Sequence, residues 1–305
     1  MRLPALFVET KENFDVKNLT SFKIGGNIAK VYFPKSDGEF EEVISGEENA
    51  EVFGNFSNTL VSSDGSDGTV IVTSKMNDVR IDGCNVYAGS GVKGPKLAQM
   101  VQKQGLSGFE FMIGFPGSLG GNVFMNASAN GQCISDRLVR VKCYARGKGI
   151  FWLSKDEMKF GYRSSICQRE PIAVLGAEFE LAVKPTDEIL KTMDENLAFR
   201  KAHQPSLALP NCGSVFRNPE GNSAGRLLDS VGAKTFSVGG VRVWENHANF
   251  IINAGNASSM DVLELMHKMF SAVKNQFDIT LKPEVRYLGN KNIREVELCK
   301  ILNIK

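Results

Sequence analysis

Ile113-Gly-Phe-Pro-Gly-Ser-Leu-Gly-Gly-Asn122, followed closely by Met125-Asn-Ala127, is the stretch on which the reading of this chain turns. Four glycines around one proline and one serine leave a backbone whose N–H groups few side chains can shield. Such a loop can wrap a phosphate or lie against a flat ring, because bare backbone allows close approach and offers donors. The plainer alternative is an elaborate turn between strands. A second segment of the same character, Gly54-Asn-Phe-Ser-Asn58, precedes it, with Asp64-Gly65 nearby. Two such loops in one chain favour a phosphate-bearing cofactor over two ornate turns.

Composition narrows the field further. The chain has 305 residues, 30 of them glycine and only three histidine. That length suits one large domain or two to three small ones. Hydrophobic residues make up 42% and charged residues 23%, a mix that excludes a disordered protein. Lys and Arg number 36 against 34 Asp and Glu, so no basic field draws the molecule to nucleic acid or anionic lipid. Few histidines weigh against a His-based metal site, and none is expected. The six cysteines (84, 133, 143, 167, 212 and 299) show no C-x-x-C spacing and read as reduced thiols. The apolar patch from Leu3 to Val8 is too short for a signal peptide, and no run approaches the roughly 20 apolar residues of a membrane helix. A cytoplasmic protein without membrane insertion is expected.

Outward from the central loop, β-branched and aromatic runs predict strands at 31–33, 69–73, 85–88, 138–144 and 172–183. Helices are expected at 95–104, with Pro95 at its start and Gly105 as its stop, and at 186–201, with Ile189, Met193 and Leu197 on one stripe. A third, at 258–277, opens on a capping box of Ser258 and Asp261 and repeats Val262, Met266, Met269, Val273 and Phe277 at helical spacing. His267 sits beside that stripe as a boundary residue. Two prolines in 203–210 mark a lobe boundary, and the pattern is that of an α+β protein.

Other motifs compete for attention. Gly89-Ser-Gly-Val-Lys-Gly94, with Glu110 about twenty residues on, satisfies the dinucleotide-binding pattern. The segment leading to that acid is broken by Gly105 and Gly108, which a parallel strand would not be. No Walker loop, G-x-S-x-G elbow or H-E-x-x-H is present. Phe160-Gly-Tyr-Arg-Ser-Ser165, Cys212-Gly-Ser-Val-Phe-Arg-Asn-Pro219 and Leu281-Lys-Pro-Glu-Val-Arg286 set an arginine, a serine and an acid in unusual company. Taken singly, each also fits a surface pair, a turn serine or a solvated acid.

Taken in order, nine segments resemble the UDP-N-acetylenolpyruvoylglucosamine reductase family of flavoenzymes, from about residue 18 to 289. They are Asn18-Leu-Thr-Ser-Phe-Lys-Ile-Gly-Gly26, Gly54-Asn-Phe-Ser-Asn58, Gly105-Leu-Ser-Gly-Phe-Glu110, Gly114-Phe-Pro-Gly-Ser-Leu-Gly-Gly121 with Met125-Asn126, Gly161-Tyr-Arg-Ser164, Gly213-Ser-Val-Phe-Arg-Asn-Pro219, Ala224-Gly225, His247-Ala-Asn-Phe-Ile-Ile-Asn253 and Pro283-Glu-Val285. Any one is weak, and the ordered set is specific.

The resemblance implies an α+β fold with an FAD-binding PCMH-type (vanillyl-alcohol-oxidase-like) flavin domain in two lobes, 1–72 and 73–207, and a C-terminal α+β substrate domain, 208–305. Gly89 to Gly94 then lies inside that fold and not in a Rossmann unit. It implies noncovalent FAD, NADPH as hydride source, and UDP-N-acetylglucosamine enolpyruvate as the acceptor reduced to UDP-N-acetylmuramate for peptidoglycan, by a monomer. About 22 residues separate Arg163 from Thr186, so it implies the shorter form without an extra substrate-channel loop.

FAD contacts are implied at Gly54, Asn55, Phe56, Ser57 and Asn58, at Ile113, Gly114, Pro116, Gly117, Ser118, Gly120, Gly121 and Asn122, and at Asn126 and Ala127. Arg163 is implied as the stabiliser of an enolate, Ser214 as the proton donor, and Glu284 as the third catalytic residue near the substrate carboxylate. Tyr162, Arg217 and Asn218 match substrate-binding positions. The chain departs from the family at Phe56, where glycine is frequent, and at Ser128, where glycine is common. The tail 290–305 matches nothing in the family and is expected to form a short added helix.

Overall fold

The computed structural model describes residues 7–114, 116–206 and 208–304. By contact these divide into two compact units. The first holds the described residues up to Lys11, Val31–Asn55 and Thr69–Arg200; the second holds Glu12–Lys30, Phe56–Gly68 and the described residues from Lys201 on.

In the first unit a five-stranded antiparallel sheet runs in the order Gly149–Ser154, Leu138–Ala145, Ile172–Glu180, Asn85–Gly89, Val79–Asp82. Alternation decides which face is buried. Val86, Ala88, Val141, Cys143, Ala177 and Phe179 point into a core shared with Leu97 and Val101 of the helix Gly94–Gln102 and with Leu119 and Val123 of the helix Leu119–Met125. The opposite face carries Tyr87, Lys142 and Trp152, with Lys142 lying 4.8 Å above the Tyr87 ring. Gly176 is bare because a Cβ there would stand 2.6 Å from the Tyr87 hydroxyl. The helix Asp37–Gly46 is capped by Ser36, whose hydroxyl accepts from the Glu39 N–H, and it packs Phe40, Val43 and Ile44 against Ile71, Tyr144 and Leu175. Strand Glu51–Phe53 runs parallel to the end of Ser66–Val72, which delivers the chain to Gly54.

The second unit is organised by the helix Ser259–Phe277. Its Ser258–Asp261 capping box is formed in both directions, with Ser258 Oγ accepting from the Asp261 N–H and Asp261 Oδ2 from the Ser258 N–H. Val262, Met266, Met269 and Val273 are fully buried against Leu227, Val241, Ile251, Leu281 and Val285. Beside it lie a three-stranded antiparallel sheet (Ser237–Val238, Val241–Val243, Ile251–Asn253) and the parallel pair Arg286–Leu288 with Thr59–Val61. A helix, Ile293–Leu302, closes the described chain within the tail.

The expected strands and the three expected helices are present, and the helix at 186–201 extends to His203. Its stripe is shorter than the spacing implies: Ile189 and Met193 are buried, whereas Leu197 is 40% exposed. Phe277, at the last turn before the left-handed cap Asp278, is likewise 37% exposed. The helices Asp37–Gly46, Leu119–Met125 and Ala224–Ser230 are additional. All six cysteines are free thiols. The N-terminal apolar patch lies outside the described residues except for Phe7 and Val8, and Phe115 lies outside them too. Among the described residues no helix is long and apolar enough to cross a membrane.

Candidate active site

Of the glycine-rich stretch, Ile113 and Gly114 end the 3-10 helix Glu110–Gly114, and Pro116 and Gly117 lead into Ser118. Ser118 caps the helix Leu119–Met125, so Gly120 and Gly121 occupy its first turn. The N–H groups there are also less free than the composition implies. Leu119 N–H donates to Val92 O and Gly120 N–H to Ser90 O, both at 2.8 Å, and Gly94 N–H reaches Gly117 O at 3.2 Å. Gly120 permits this approach, since a Cβ would stand 2.8 Å from the Ser90 Cβ. Gly117 has φ +140°, a conformation that favours glycine.

Side chains add unspent donors. Ser118 Oγ, Asn122 Nδ2 and Arg200 Nε are buried and have no hydrogen-bond partner. A buried donor left alone costs about 1–3 kcal/mol, so this concentration of them within one unit asks for a polar ligand. Gly54 leaves the space, because a Cβ on it would come 2.2 Å from Ser118 Oγ. Gly114 lies against Arg200, where a Cβ would be 3.0 Å from the Arg200 Cδ, and burial pulls the Arg200 pKa down. Cradle and orphaned donors fit a phosphate-bearing dinucleotide such as FAD.

Asn126 holds neighbouring backbone in place. Its backbone is left-handed (φ +45°), its Nδ2 donates to Gly161 O at 3.1 Å, and its Oδ1 accepts from the Ser135 N–H. It thereby holds the turn in which Gly161 and Ser164 exchange backbone hydrogen bonds around Tyr162 and Arg163. Ala127 N–H is spent on Asn122 O. Arg163 is left-handed too, at φ +52°, a sparsely populated state for a residue with a side chain. Its Nη1 donates to the Ser128 hydroxyl at 3.1 Å, and Gln168 Nε2 fixes its carbonyl at 2.9 Å. Ser128, which the sequence shows only as a departure from glycine, thus holds the Arg163 guanidinium. Tyr162 is 58% exposed, its ring centroid 5.8 Å from the Arg163 guanidinium carbon.

In the second unit the Ser214 segment runs between two others. Ser214 bridges Phe250, Val215 N–H donates to Asn249 O, and Asn249 Oδ1 accepts from the Phe216 N–H. On the other side Phe216 bridges Pro283, Arg217 N–H donates to Lys282 O, and Glu284 N–H donates to Val215 O at 2.8 Å. Ser214 and Glu284 therefore stand on adjacent, hydrogen-bonded backbones. Gly213 enters this ladder at φ +83°, its N–H held by Asn211 Oδ1. Cys212 is pushed up by burial, with the Glu284 charge adding to the effect. Arg217 Nε is another buried donor without a partner. Asn218 is exposed, and its Oδ1 accepts the Ala224 N–H at the start of the helix Ala224–Ser230.

The segment Gly54-Asn-Phe-Ser-Asn58 ends in the same unit. Phe56 is left-handed (φ +51°) and 2% exposed, which explains the frequency of glycine there. Ser21 Oγ donates to Ser57 O, Asn58 Nδ2 donates to Glu284 O at 2.8 Å, and Asn58 O accepts the Arg286 N–H. His247, which the sequence shows only as the start of a matched segment, has contacts of its own. Its Nδ1 accepts the Asn249 N–H at 3.1 Å, its ring packs edge-on to Phe250, and it excludes any side chain at Gly225.

Sequence relatives and a solved structure give the class, an FAD-dependent oxidoreductase with an FAD-binding domain. The FAD binding domain family matches residues 28–153, and the C-terminal domain of UDP-N-acetylenolpyruvoylglucosamine reductase matches residues 204–288. The UDP-N-acetylenolpyruvoylglucosamine reductases of Bacillus licheniformis and Caldanaerobacter subterraneus are each 39% identical, over 286 and 283 residues, covering 92% of this chain and 94% and 93% of their own. The crystal structure of the Thermus caldophilus enzyme of that name superposes with a TM-score of 0.79 at 31% identity, covering 92% of this chain and 99% of that one. The chain belongs to the UDP-N-acetylenolpyruvoylglucosamine reductase family.

Proposed function

We propose that this enzyme reduces UDP-N-acetylglucosamine enolpyruvate to UDP-N-acetylmuramate with NADPH, as a cytoplasmic monomer, in the synthesis of peptidoglycan precursors. FAD, held noncovalently, supplies the hydride chemistry. Hydride addition at the enolpyruvyl β-carbon builds negative charge on the α-carbon and its carboxylate. Arg163 offsets that charge, its guanidinium kept in one orientation by Ser128 and its backbone by Gln168. Ser214 donates the proton to the α-carbon. A hydroxyl is a weak acid, so this transfer needs a strongly basic acceptor and a fixed geometry. Glu284 acts at the carboxylate end of the same group. Arg217, with its unpartnered buried Nε, receives the diphosphate, aided by Asn218 and Tyr162.

The observation that carries this reading is the backbone ladder joining the Ser214 segment to the Glu284 segment. The experiment is spectroscopic. The purified protein is expected to be yellow, to bleach anaerobically with NADPH, and to regain its colour on addition of UDP-N-acetylglucosamine enolpyruvate. A bleached flavin that ignores the enolpyruvyl sugar overturns the substrate; a flavin that NADPH leaves oxidised overturns the donor.

A further inference from the structure

The helix Ile293–Leu302 begins after the matched C-terminal domain ends at residue 288. It nevertheless sends a carboxylate into the core, since Glu295 is 1% exposed. Glu295 Oε2 accepts from the Tyr287 hydroxyl at 2.6 Å and Oε1 from the Ser259 hydroxyl at 2.5 Å. The network continues: Ser259 Oγ accepts the Ser63 N–H at 2.7 Å, and the Ser259 N–H donates to Ser63 Oγ at 2.9 Å. Asn292 caps the helix through its Oδ1 and reaches Asp64 Oδ2 with its Nδ2 at 2.8 Å. Gly289 leaves room for this arrangement, because a Cβ there would stand 2.5 Å from the Tyr287 hydroxyl. A buried carboxylate is costly unless hydroxyls or cations meet it. Here both oxygens are met, and the network is committed to one geometry.

That geometry bears on the site. Tyr287 lies three residues beyond Glu284 on the segment that pairs in parallel with Thr59–Val61, in register Tyr287↔Leu60. Ser62 N–H closes the far end on Leu288 O at 2.8 Å, and Asn58 closes the near end on Glu284 O and on the Arg286 N–H. Glu295 therefore pins the Tyr287 side chain of the strand Arg286–Leu288, which Glu284 precedes by two residues and to which Asn58 ties it.

We infer that Glu295, on the helix that follows the matched C-terminal domain, is a positioning residue that acts through Tyr287 to hold Glu284 in register for the reaction. This rests on the reading of Glu284 given above. A residue that only stabilises the fold would affect every step of turnover alike; a positioning residue affects the step in which Glu284 takes part.

The test uses FAD-loaded full-length protein reduced anaerobically with dithionite and mixed with UDP-N-acetylglucosamine enolpyruvate. Glu295→Leu is expected to slow flavin reoxidation roughly tenfold, with substrate KM within about threefold and NADPH-driven reduction within about twofold of wild type. Glu295→Gln, which keeps an acceptor for Ser259, is expected to recover most of the rate. Tyr287→Phe removes only the hydroxyl and serves if Glu295→Leu does not fold; it is expected to slow reoxidation severalfold with thermal stability nearly unchanged. In a Glu284→Gln background, adding Glu295→Leu is expected to cost less than about twofold further. Normal reoxidation in folded Glu295→Leu or Tyr287→Phe overturns the inference, as does an equal loss in both half-reactions. If Glu284→Gln itself reoxidises normally, the role of Glu284 fails, and that outcome is distinct from the failure of Glu295 alone.

Discussion

At the scale of single residues, glycine is required for two different reasons, and the reasons predict different phenotypes. A Cβ at Gly54 meets the far end of one side chain, Ser118 Oγ. That hydroxyl can rotate away, so Gly54→Ala is expected to fold with a melting temperature close to wild type but to lose FAD on gel filtration. A Cβ at Gly26 meets backbone instead, 2.3 Å from Ser63 O and 2.7 Å from Gly65 N. Gly26→Ala is expected to cost about 1–3 kcal/mol in denaturant unfolding, because backbone cannot step aside. His247 predicts a pH effect. Burial lowers its pKa below the usual 6.5, so below that pH the unfolded chain takes up a proton that the folded one refuses. Stability is then lost as pH falls from 6.5 towards the folded value. His247→Gln is expected to flatten the fall in melting temperature between about pH 6.5 and pH 5; an unchanged slope would show that this ring does not contribute.

At the scale of elements, what is legible in the sequence is what local chemistry decides. The helix Ser259–Phe277 carries its cap, its acid and its apolar stripe within its own residues, and all are formed. Ser258→Ala is expected to cost about 1 kcal/mol. Asp261→Ala is expected to cost more, because Asp261 Oδ2 also accepts the Gly240 N–H at 3.2 Å; equal losses would contradict that added role. The helix Leu119–Met125 is not legible. Gly120 and Gly121 have low intrinsic helix propensity, and the helix stands on distant support: Leu119 and Val123 buried in the core, and donors spent on Ser90 and Val92. The helix Asp37–Gly46 has local signals, Ser36 and Glu39, that a strand-dominated reading passes over. In the candidate site the glycine loop and the serine, arginine and acid segments are visible as motifs. The roles of Ser128 and Asn126 are not, because they depend on which backbone the fold brings beside the Arg163 turn.

At the scale of the molecule, the two units carry different groups. One carries the orphaned donors of Ser118, Asn122 and Arg200 and the turn that presents Arg163. The other carries the ladder of Ser214 and Glu284, the unpartnered Arg217 Nε, and the helix Ile293–Leu302. The central claim is that the second unit supplies the proton for a reaction whose electrons come through the flavin. Ser214→Ala, followed by stopped-flow absorbance in two anaerobic half-reactions, tests that claim most directly. Flavin reduction by NADPH is expected at close to the wild-type rate, with reoxidation by UDP-N-acetylglucosamine enolpyruvate slowed by orders of magnitude. Equal loss in both halves, or reoxidation at the wild-type rate, would contradict it.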